Sequence, residues 1–439
     1  MSATNRFIDL FAGCGGLSLG LIKSGWKGVF AVEKHPVAFE TLQRNLIREQ
    51  STNFEWPDWL PKKAHTCEDI LANYSDKLAQ LRGKIDLIVG GPPCQGFSMA
   101  GKRNPVDPRN KMSEQYLALV GIIQPKLIVI ENVAGFDIEF GGDEGASLKI
   151  GTKKKSYASF ISSRLETMGY SVSSGVLNCS DFGVPQNRKR FFIFCELQKF
   201  EKNSKRNLFK DFVLTRSKFL ADHNLPVTRP VTCFEAISDL ETHNKTLVPC
   251  EDSGKKGYVE TDYNKSIPIG GYQSLMREAI GSVSANSRRL PNHKATTIEG
   301  FKKIQRICRP GISISTEEMK LVGTKKHAIT VLNARLPSPT ITTLPDDILH
   351  YAEPRILTAR ENARLQSFPD WYSFYGNYTT GGKRRKFDCP RYTQIGNAVP
   401  PLVSEAIGLY LKEISVENNQ KNQSSNLITD KKNVNKSDD

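Results

Sequence analysis

The sequence Asp9-Leu-Phe-Ala-Gly13-Cys-Gly15-Gly16-Leu-Ser-Leu-Gly20 joins an apolar run to a helical pattern through a glycine-rich turn. It predicts a buried strand over Arg6–Phe11 and a helix over Gly15–Ser24. Glycines allow the backbone to turn tightly, and the unpaired N–H groups at a helix start can bind an anion. Because the spacing differs from the dinucleotide pattern GxGxxG, the turn alone is weak evidence for a cofactor.

Short apolar runs recur along the first half of the chain. Strands are predicted over Gly28–Glu33, Ile85–Val89, Lys126–Glu131 and Phe191–Cys195, and a helix over His35–Leu46. Strands separated by helices imply βαβ units, so the fold class is α/β, with a doubly wound, mostly parallel sheet covered on both faces. Such sheets bind ligands beyond the carboxyl ends of their strands.

Composition narrows the class of protein. The 439 residues carry 61 basic and 46 acidic side chains, a net charge of +15 that favours a polyanionic partner. Hydrophobic residues at 38% exclude global disorder, and no apolar run is long enough to cross a bilayer. Nine scattered cysteines without a CxxC pair argue against a zinc ribbon or a disulfide framework and suit a reducing cytosol. The apolar run Phe7–Ile22 is interrupted by Asp9, which argues against a signal peptide.

The regular pattern stops near residue 198. Residues 199–350 are irregular and carry 24 basic and 16 acidic side chains, a net charge of +8. Regular patterning returns with Leu357–Leu365 and a closing helix over Leu402–Leu411. We therefore predict a large domain over 1–197 that resumes over 353–415, a smaller domain over 198–352, and a disordered tail over 416–439.

A cysteine lies in the second motif, Gly90-Gly-Pro-Pro-Cys94-Gln-Gly-Phe-Ser98, directly after a predicted strand. A lone cysteine is more often a small buried hydrophobe than a nucleophile. The rigid prolines and flanking glycines favour exposure of Cys94 instead. The basic segment Ala100–Ser113 that follows is predicted to be a mobile loop.

Acidic and basic residues mark three further strand ends. Glu33 ends the second strand about twenty residues after the first glycine, where an acid can bind ribose hydroxyls. Glu131 of Glu131-Asn-Val can act as a general acid if an apolar pocket holds its proton. A helix-cap role is the alternative for both. Gln186-Asn-Arg188-Lys-Arg190 is either a solvated turn or a set of guanidinium groups that hold a carboxylate or a base carbonyl.

These motifs, in this order, resemble those of the DNA (cytosine-5)-methyltransferases, bacterial restriction–modification enzymes that use S-adenosyl-L-methionine. Three later blocks match the same family: Arg335-Leu-Pro-Ser-Pro-Thr340, Arg360-Glu-Asn-Ala-Arg-Leu-Gln-Ser-Phe-Pro369 and Gly396-Asn-Ala-Val-Pro400. The match covers roughly residues 4–195 and 330–412. It implies a Rossmann-like class I methyltransferase sheet, with residues 198–352 as a DNA-recognition domain, called the recognition region below.

The resemblance also implies the cofactor contacts. The glycine turn cradles the cofactor, Glu33 binds its ribose and Asp69 its adenine amino group. The residues implied are Phe11, Gly13, Gly15, Gly16, Glu33, Asp69, Ile70, Pro92, Asn397 and Ala398. Two departures weaken the match: Glu68 replaces the usual glycine before Asp69, and Lys34 replaces a tryptophan that stacks on adenine in the family.

The same resemblance assigns the reaction. Cys94 attacks carbon-6 of a flipped cytosine, Glu131 binds its ring nitrogen-3 and amino group, and Arg190, with Arg188, holds its carbonyl oxygen. Contacts with the base or the DNA are assigned to Gln95, Ser98 and Arg109. The candidates for phosphate contacts, each of which is otherwise a solvated charge, are Lys302, Lys303, Arg306, Arg309 and Lys383–Lys386.

Double-stranded DNA is the expected substrate, and a cognate restriction endonuclease is a possible functional partner. A monomer without a metal or a membrane contact is expected in the prokaryotic cytoplasm, near the nucleoid. Two alternatives remain: the RNA-methylating branch of the same fold, and a catalytically silent DNA-binding regulator. The recognition sequence is not predicted.

Overall fold

The computed structural model describes residues 5–48, 51–92, 111–137, 156–198, 206–263, 270–279, 284–324, 326, 328–380 and 387–434, with the backbone alone over 418–434. Within these residues, no helix combines the length and apolarity needed to cross a membrane. A six-stranded sheet in the order β2-β1-β3-β4-β7-β5 forms the centre. Its strands are β1 (Arg6–Leu10), β2 (Lys27–Val32), β3 (Leu87–Gly90), β4 (Leu127–Val133), β5 (Tyr170–Asn178) and β7 (Lys189–Leu197), while the two-residue β6 (Gln186–Asn187) lies outside it.

The first four strands of this sheet are parallel, whereas β7 runs antiparallel between β4 and β5. The α/β fold with a mostly parallel sheet is therefore confirmed. The helices of this part are α1 (Gly16–Lys23), α2 (Pro36–Leu46), α3 (Cys67–Ala79), α4 (Lys111–Ile123) and α5 (Tyr157–Thr167).

Both faces of the sheet are buried. Phe7, Leu87 and Leu127 belong to the core on one face, and their successors Ile8, Ile88 and Ile128 to the core on the other. This is why the central strands are continuous apolar runs and do not alternate with polar residues. Gly90 pairs with Leu10 on one side and with Ile130 on the other, so β1 and β3 end at the same level, while β4 continues for three more residues. Phe11, Gly91 and Glu131 therefore lie at the same edge of the sheet.

The recognition region contains short elements. They are the helices α6 (Leu208–Leu214), α7 (Arg216–Asp222), α8 (Cys233–Ile237), α9 (Gly271–Arg277), α10 (Ala295–Ile307) and α11 (Thr316–Val322), and the strands β8 (Leu247–Pro249), β9 (Val259–Thr261), β10 (Thr330–Val331), β11 (Ser338–Pro339) and β12 (Ile348–Leu349). A small separate core around Ile304, Met319 and Leu349 stabilises its second half. Its first half packs on the main core, since Phe212 stacks on Phe182 with ring centroids 4.7 Å apart. The edge of the main core thus does not coincide with residue 198.

The chain returns to the sheet through α12 (Ala359–Leu365), α13 (Arg391–Asn397) and α14 (Pro401–Val434). Helix α14 packs against α1, where the hydroxyl of Ser404 donates to the Leu17 carbonyl at 2.6 Å. The closing helix is therefore longer than the predicted 402–411 and extends through most of the segment predicted to be disordered. No glycine or proline follows Gly408 before Val434, so nothing in the sequence interrupts the helical backbone.

Candidate active site

The glycine turn after β1 is closed by Glu33, the first residue after β2. One carboxylate oxygen of Glu33 accepts the Gly13 N–H at 2.9 Å, and the other accepts the His35 N–H at 2.7 Å. Burial raises the pKa of Glu33, and the hydrogen bonds from His35 and Gly13 oppose that rise. The helix-cap alternative is thus partly right, because His35 is the N-cap residue of α2. The contact with Gly13 goes further and joins Glu33 to the turn.

Gly13 leaves room for a ligand at this turn. Its φ of 56° lies in the left-handed region, and a Cβ added to it would have no atom within 4 Å. Phe11 enters the turn with a φ of 62° and is half-buried. A backbone that turns in this way, beside an acid and open space, can cradle a small polar cofactor.

Gly16 is required for a different reason. A Cβ at Gly16 would lie 2.2 Å from the Val399 carbonyl oxygen. The segment after α13 therefore packs directly on the glycine turn, and it leaves Asn397 exposed beside Ala398, which is buried. The structure thus brings the Gly396–Pro400 block, almost four hundred residues away in sequence, to the first strand, as the resemblance implies.

Asp69 lies in the first turn of α3 and is exposed. One of its carboxylate oxygens accepts the Thr66 N–H at 3.0 Å in a capping box, and hydrogen bonds from Thr66 lower its pKa. The side chain of Ile70 is fully buried in the core. Only the backbone of Ile70 can therefore face a ligand, and a contact between Asp69 and adenine remains a prediction.

An ion pair between Glu131 on β4 and Arg190 on β7 lies at the carboxyl edge of the sheet. Nε of Arg190, on β7, lies 2.9 Å from a carboxylate oxygen of Glu131, and both side chains are 12–13% exposed. Cross-strand register explains the pair, since Val133 opposes Arg190 and Glu131 lies two residues before Val133 on the same face. The amide of Asn132 donates to the Pro92 carbonyl at 3.0 Å, which fixes the end of the Gly90–Pro92 segment beside Glu131.

Arg188 does not accompany Arg190 into this edge. Its guanidinium is buried and donates to the carbonyls of Ile341, Gly396 and Ala398 at 2.9–3.2 Å. Burial lowers its pKa to about 9, so it remains protonated at neutral pH. We correct the assignment of Arg188 to the base carbonyl accordingly. Alternate residues of an extended strand point to the same face, but Arg188 lies between β6 and β7, where that alternation does not hold.

Several predicted site residues lie outside the described residues. They are Cys94, Gln95, Ser98, Arg109 and Lys383–Lys386, together with most of the Ala100–Ser113 segment. The four candidate phosphate contacts in the recognition region are described: Lys302 and Arg306 on α10 are exposed, as are Lys303 and Arg309. These assignments remain predictions.

Sequence reasoning missed the side chains that hold the glycine turn and residues 391–400, which we call the return segment. The amide of Gln366 donates to the carbonyls of Ile395 and Ala398 at 3.1 and 2.6 Å, and the amide of Gln186 donates to Gln366 at 2.5 Å. The hydroxyl of Tyr372 donates to the Cys14 carbonyl at 2.5 Å. Gln186 and Gln366 lie within quoted motifs, so the signal was present, but a motif does not say which partner a side chain has.

The chain is similar to known proteins along most of its length. The model of the family described as C-5 cytosine-specific DNA methylase matches residues 5–413. The type II methyltransferase M.DdeI of Desulfomicrobium norvegicum is 31% identical over 431 residues, which cover 94% of this chain and 91% of that protein. The type II methyltransferase M.XorII of Xanthomonas oryzae is 28% identical, with 91% and 83% covered.

A solved structure supports the fold. A prophage-encoded E. coli protein described as a DNA modification methyltransferase superposes with a TM-score of 0.58 at 23% identity, covering 93% of this chain and 99% of that one. The α/β fold with its mostly parallel sheet is therefore shared with this structure. The chain belongs to the C-5 cytosine-specific DNA methylase family, and it is a DNA (cytosine-5)-methyltransferase.

Proposed function

We propose that this enzyme takes its methyl group from S-adenosyl-L-methionine, transfers it to a cytosine flipped out of duplex DNA, and protects that DNA from a cognate restriction endonuclease. The observation that carries the proposal is the shared edge of β1, β3 and β4. There the Glu33-closed turn follows β1, and Glu131, paired with Arg190, lies at the same level on β4. This arrangement supports a cofactor site beside a base site.

The residues at the turn fit the cofactor. The open space at Gly13 accommodates a ligand against the backbone, and each oxygen of Glu33 keeps a lone pair beyond its N–H partner for a ribose hydroxyl. When bound, S-adenosyl-L-methionine supplies an electrophilic methyl group on a sulfonium. Contacts to the rest of the cofactor are proposed for Phe11, Gly15, Gly16, Asp69, Ile70, Pro92, Asn397 and Ala398.

The chemistry of the base is assigned to Cys94, Glu131 and Arg190. Carbon-5 of cytosine is a poor nucleophile, so the Cys94 thiolate adds to carbon-6 and makes carbon-5 electron-rich. Glu131 binds nitrogen-3 and the amino group, and stabilises the charge that develops on the ring. Arg190 holds the carbonyl oxygen while paired with Glu131. After methylation carbon-5 loses its proton to solvent, and the carbon–sulfur bond breaks to regenerate the thiolate.

Access to the base requires that it leave the helix. Extrusion from the stack costs a few kcal/mol, which protein–DNA contacts must offset. Part of these contacts is assigned to Gln95, Ser98 and Arg109. The candidate phosphate contacts are Lys302, Lys303, Arg306 and Arg309. Each phosphate that such a residue neutralises steepens the salt dependence of binding.

The biological setting is inferred from relatives. Those with 31% and 28% identity are named type II methyltransferases, which supports a protective role in a restriction–modification system. Because one flipped base needs one site, a monomer is proposed. A cytoplasmic location beside the nucleoid follows from the substrate.

The direct test measures transfer of tritiated methyl groups from S-adenosyl-L-methionine to unmethylated plasmid DNA and, in parallel, to transfer RNA. We expect label in DNA and none in RNA, and long-read sequencing of a host that expresses the chain should then give one methylated motif. Cys94→Ala should abolish transfer and keep DNA affinity within about twofold, since it removes only the nucleophile. Label in RNA alone would contradict the substrate, and active Cys94→Ala protein would contradict the nucleophile.

A further inference from the structure

Helix α13 connects three parts of the molecule. Helix α13 contacts the glycine turn, where the Cys14 thiol donates to the Gln394 carbonyl at 3.4 Å. Val399, just after the helix, packs on Gly16. The carbonyls near its carboxyl end are held by Arg188, two residues before the Arg190 of the base site. Its first residue, Arg391, faces the recognition region. We call α13 and the groups that bind Arg391 the junction.

Arg391, whose side chain is buried, holds the recognition region through an ion pair with the partly exposed Asp252. Its Nη1 contacts a carboxylate oxygen of Asp252, its Nη2 donates to the Asp252 carbonyl at 3.2 Å, and its Nη1 also donates to the Ser287 hydroxyl at 3.0 Å. Its Nε donates to the Gly376 carbonyl at 3.0 Å. The Arg391 side chain is 7% exposed. A guanidinium with this many fixed acceptors sets the position of the helix that carries it.

Asp252 is itself held from several sides. The hydroxyl of Tyr378 donates to one carboxylate oxygen at 2.6 Å, and the Ser287 N–H donates to the other at 2.9 Å. Burial by itself would raise the pKa of Asp252, but Arg391 and these hydrogen bonds outweigh it and lower the pKa to about 2. Asp252 is therefore charged at all working pH values, and its partners cannot be exchanged for water without loss.

We propose that Asp252, a residue of the recognition region, is a positioning residue for the cofactor pocket, because its ion pair with Arg391 fixes the helix that places Asn397 and Ala398 beside the glycine turn. The inference rests on the proposed use of S-adenosyl-L-methionine. It assigns cofactor affinity to a residue that its position in the sequence would assign to DNA binding.

Strands β8 and β9 pair antiparallel, and the hairpin that they form, with Asp252 in its loop, supplies a matched control. Glu260 on β9 pairs with Arg288 at 2.5 Å, close to the Asp252 pair in the fold. Within the described chain, the other hydrogen bonds of the Arg288 guanidinium go to Thr261, Ser284 and Ala285. This second ion pair therefore stays inside the recognition region and does not reach α13.

The experiment titrates S-adenosyl-L-homocysteine, and separately unmethylated plasmid DNA, into the full-length wild-type, Asp252→Asn and Glu260→Gln proteins. For Asp252→Asn we expect the cofactor Kd and the KM for S-adenosyl-L-methionine to rise about fivefold or more. We expect kcat at saturating cofactor and the DNA Kd to stay within about twofold of wild type, because no group that contacts the base has changed. Glu260→Gln should leave the cofactor Kd unchanged.

Three results would overturn the inference. They are an unchanged cofactor Kd for Asp252→Asn, equal rises for both variants, and a loss of DNA affinity alone. Tyr378→Phe keeps the aromatic ring and removes one hydrogen bond to Asp252, so it gives a milder second test with an expected rise of about twofold. A wild-type protein that binds no cofactor analogue would overturn the proposed function and this inference together, whereas normal wild-type binding confines the failure to the inference.

Discussion

The carboxyl edge of the sheet and the junction both bring arginines and carboxylates together, but the two regions use them differently. At the edge, Glu131 and Arg190 form one pair whose side chains are partly exposed. On α12, which neighbours the junction, Arg364 pairs with Asp239 and Asp370, and all three side chains are at most 1% exposed. In the junction itself, Arg391 and Asp252 are 7% and 26% exposed. The two regions therefore differ in partners rather than in exposure, since the hydroxyls and carbonyls that bind Arg391 and Asp252 fix the positions of several segments.

The largest effect is expected from Glu131→Gln, which keeps the shape of the side chain and removes its charge. Loss of one group that stabilises developing charge should lower kcat by about 10²–10³. Cofactor affinity should stay within about twofold of wild type, because Glu131 lies outside the glycine turn. Single-turnover methyl transfer with saturating DNA and cofactor measures the rate. A variant with normal kcat would remove Glu131 from the chemistry.

Arg188 and Arg190 lie two residues apart in sequence, and substitutions of each compare a structural role with a role in the chemistry. Arg188→Met should lower the free energy of unfolding by about 2–4 kcal/mol, because it leaves the carbonyls of Ile341, Gly396 and Ala398 without their donor. Arg190→Met should lower kcat about 100-fold and destabilise the fold less than Arg188→Met, because it removes one ion pair and leaves the return-segment carbonyls bound. Denaturant unfolding and methyl-transfer assays of both variants decide between the two roles. A large loss of kcat with normal stability for Arg188→Met, together with a large loss of stability with normal kcat for Arg190→Met, would contradict both assignments.

Asp9 tests how a buried carboxyl group without a positively charged partner changes the free energy of unfolding with pH. This carboxyl on β1 is fully buried, and burial raises its pKa to about 7 although the Ser18 hydroxyl donates to it at 2.6 Å. A raised folded-state pKa gives stability that is present below the unfolded pKa and is lost as pH rises towards 7. Asp9→Asn, which cannot ionise, should therefore gain about 2–4 kcal/mol relative to wild type between pH 4 and pH 8. A pH-independent difference in unfolding free energy would contradict this.

Gly16→Ala gives the smallest expected effect and probes the contact between the two regions. Its Cβ would overlap the Val399 carbonyl, so the return segment must shift, at a cost of about 1–3 kcal/mol and a higher KM for the cofactor. Gly300→Ala is the control, because Gly300 lies inside α10 with nothing within 4 Å of an added Cβ. That control should be neutral or stabilising by up to about 1 kcal/mol. Thermal unfolding with and without S-adenosyl-L-homocysteine compares the two.

The edge could be predicted from the sequence and the junction could not. Strands made of buried apolar runs end in short motifs, so the placement of Glu33 and Glu131 follows from local pattern and the rules of parallel sheets. The partners of Arg188, Gln366 and Arg391 lie up to about two hundred residues away in sequence, and no local pattern specifies them. The helical backbone beyond Leu411 was not predicted, because the polar composition there favours disorder although it contains no helix breaker.

Trapping the covalent adduct with the base tests whether Arg190 acts in the chemistry while Asp252 acts only on cofactor binding. In DNA that contains 5-fluorocytosine, carbon-5 has no proton to lose after methylation, so the enzyme should remain covalently bound through Cys94. At saturating S-adenosyl-L-methionine, we predict that wild type and Asp252→Asn form this adduct to the same extent and that Arg190→Met forms little. Loss of the adduct in Asp252→Asn together with normal trapping by Arg190→Met would contradict the account.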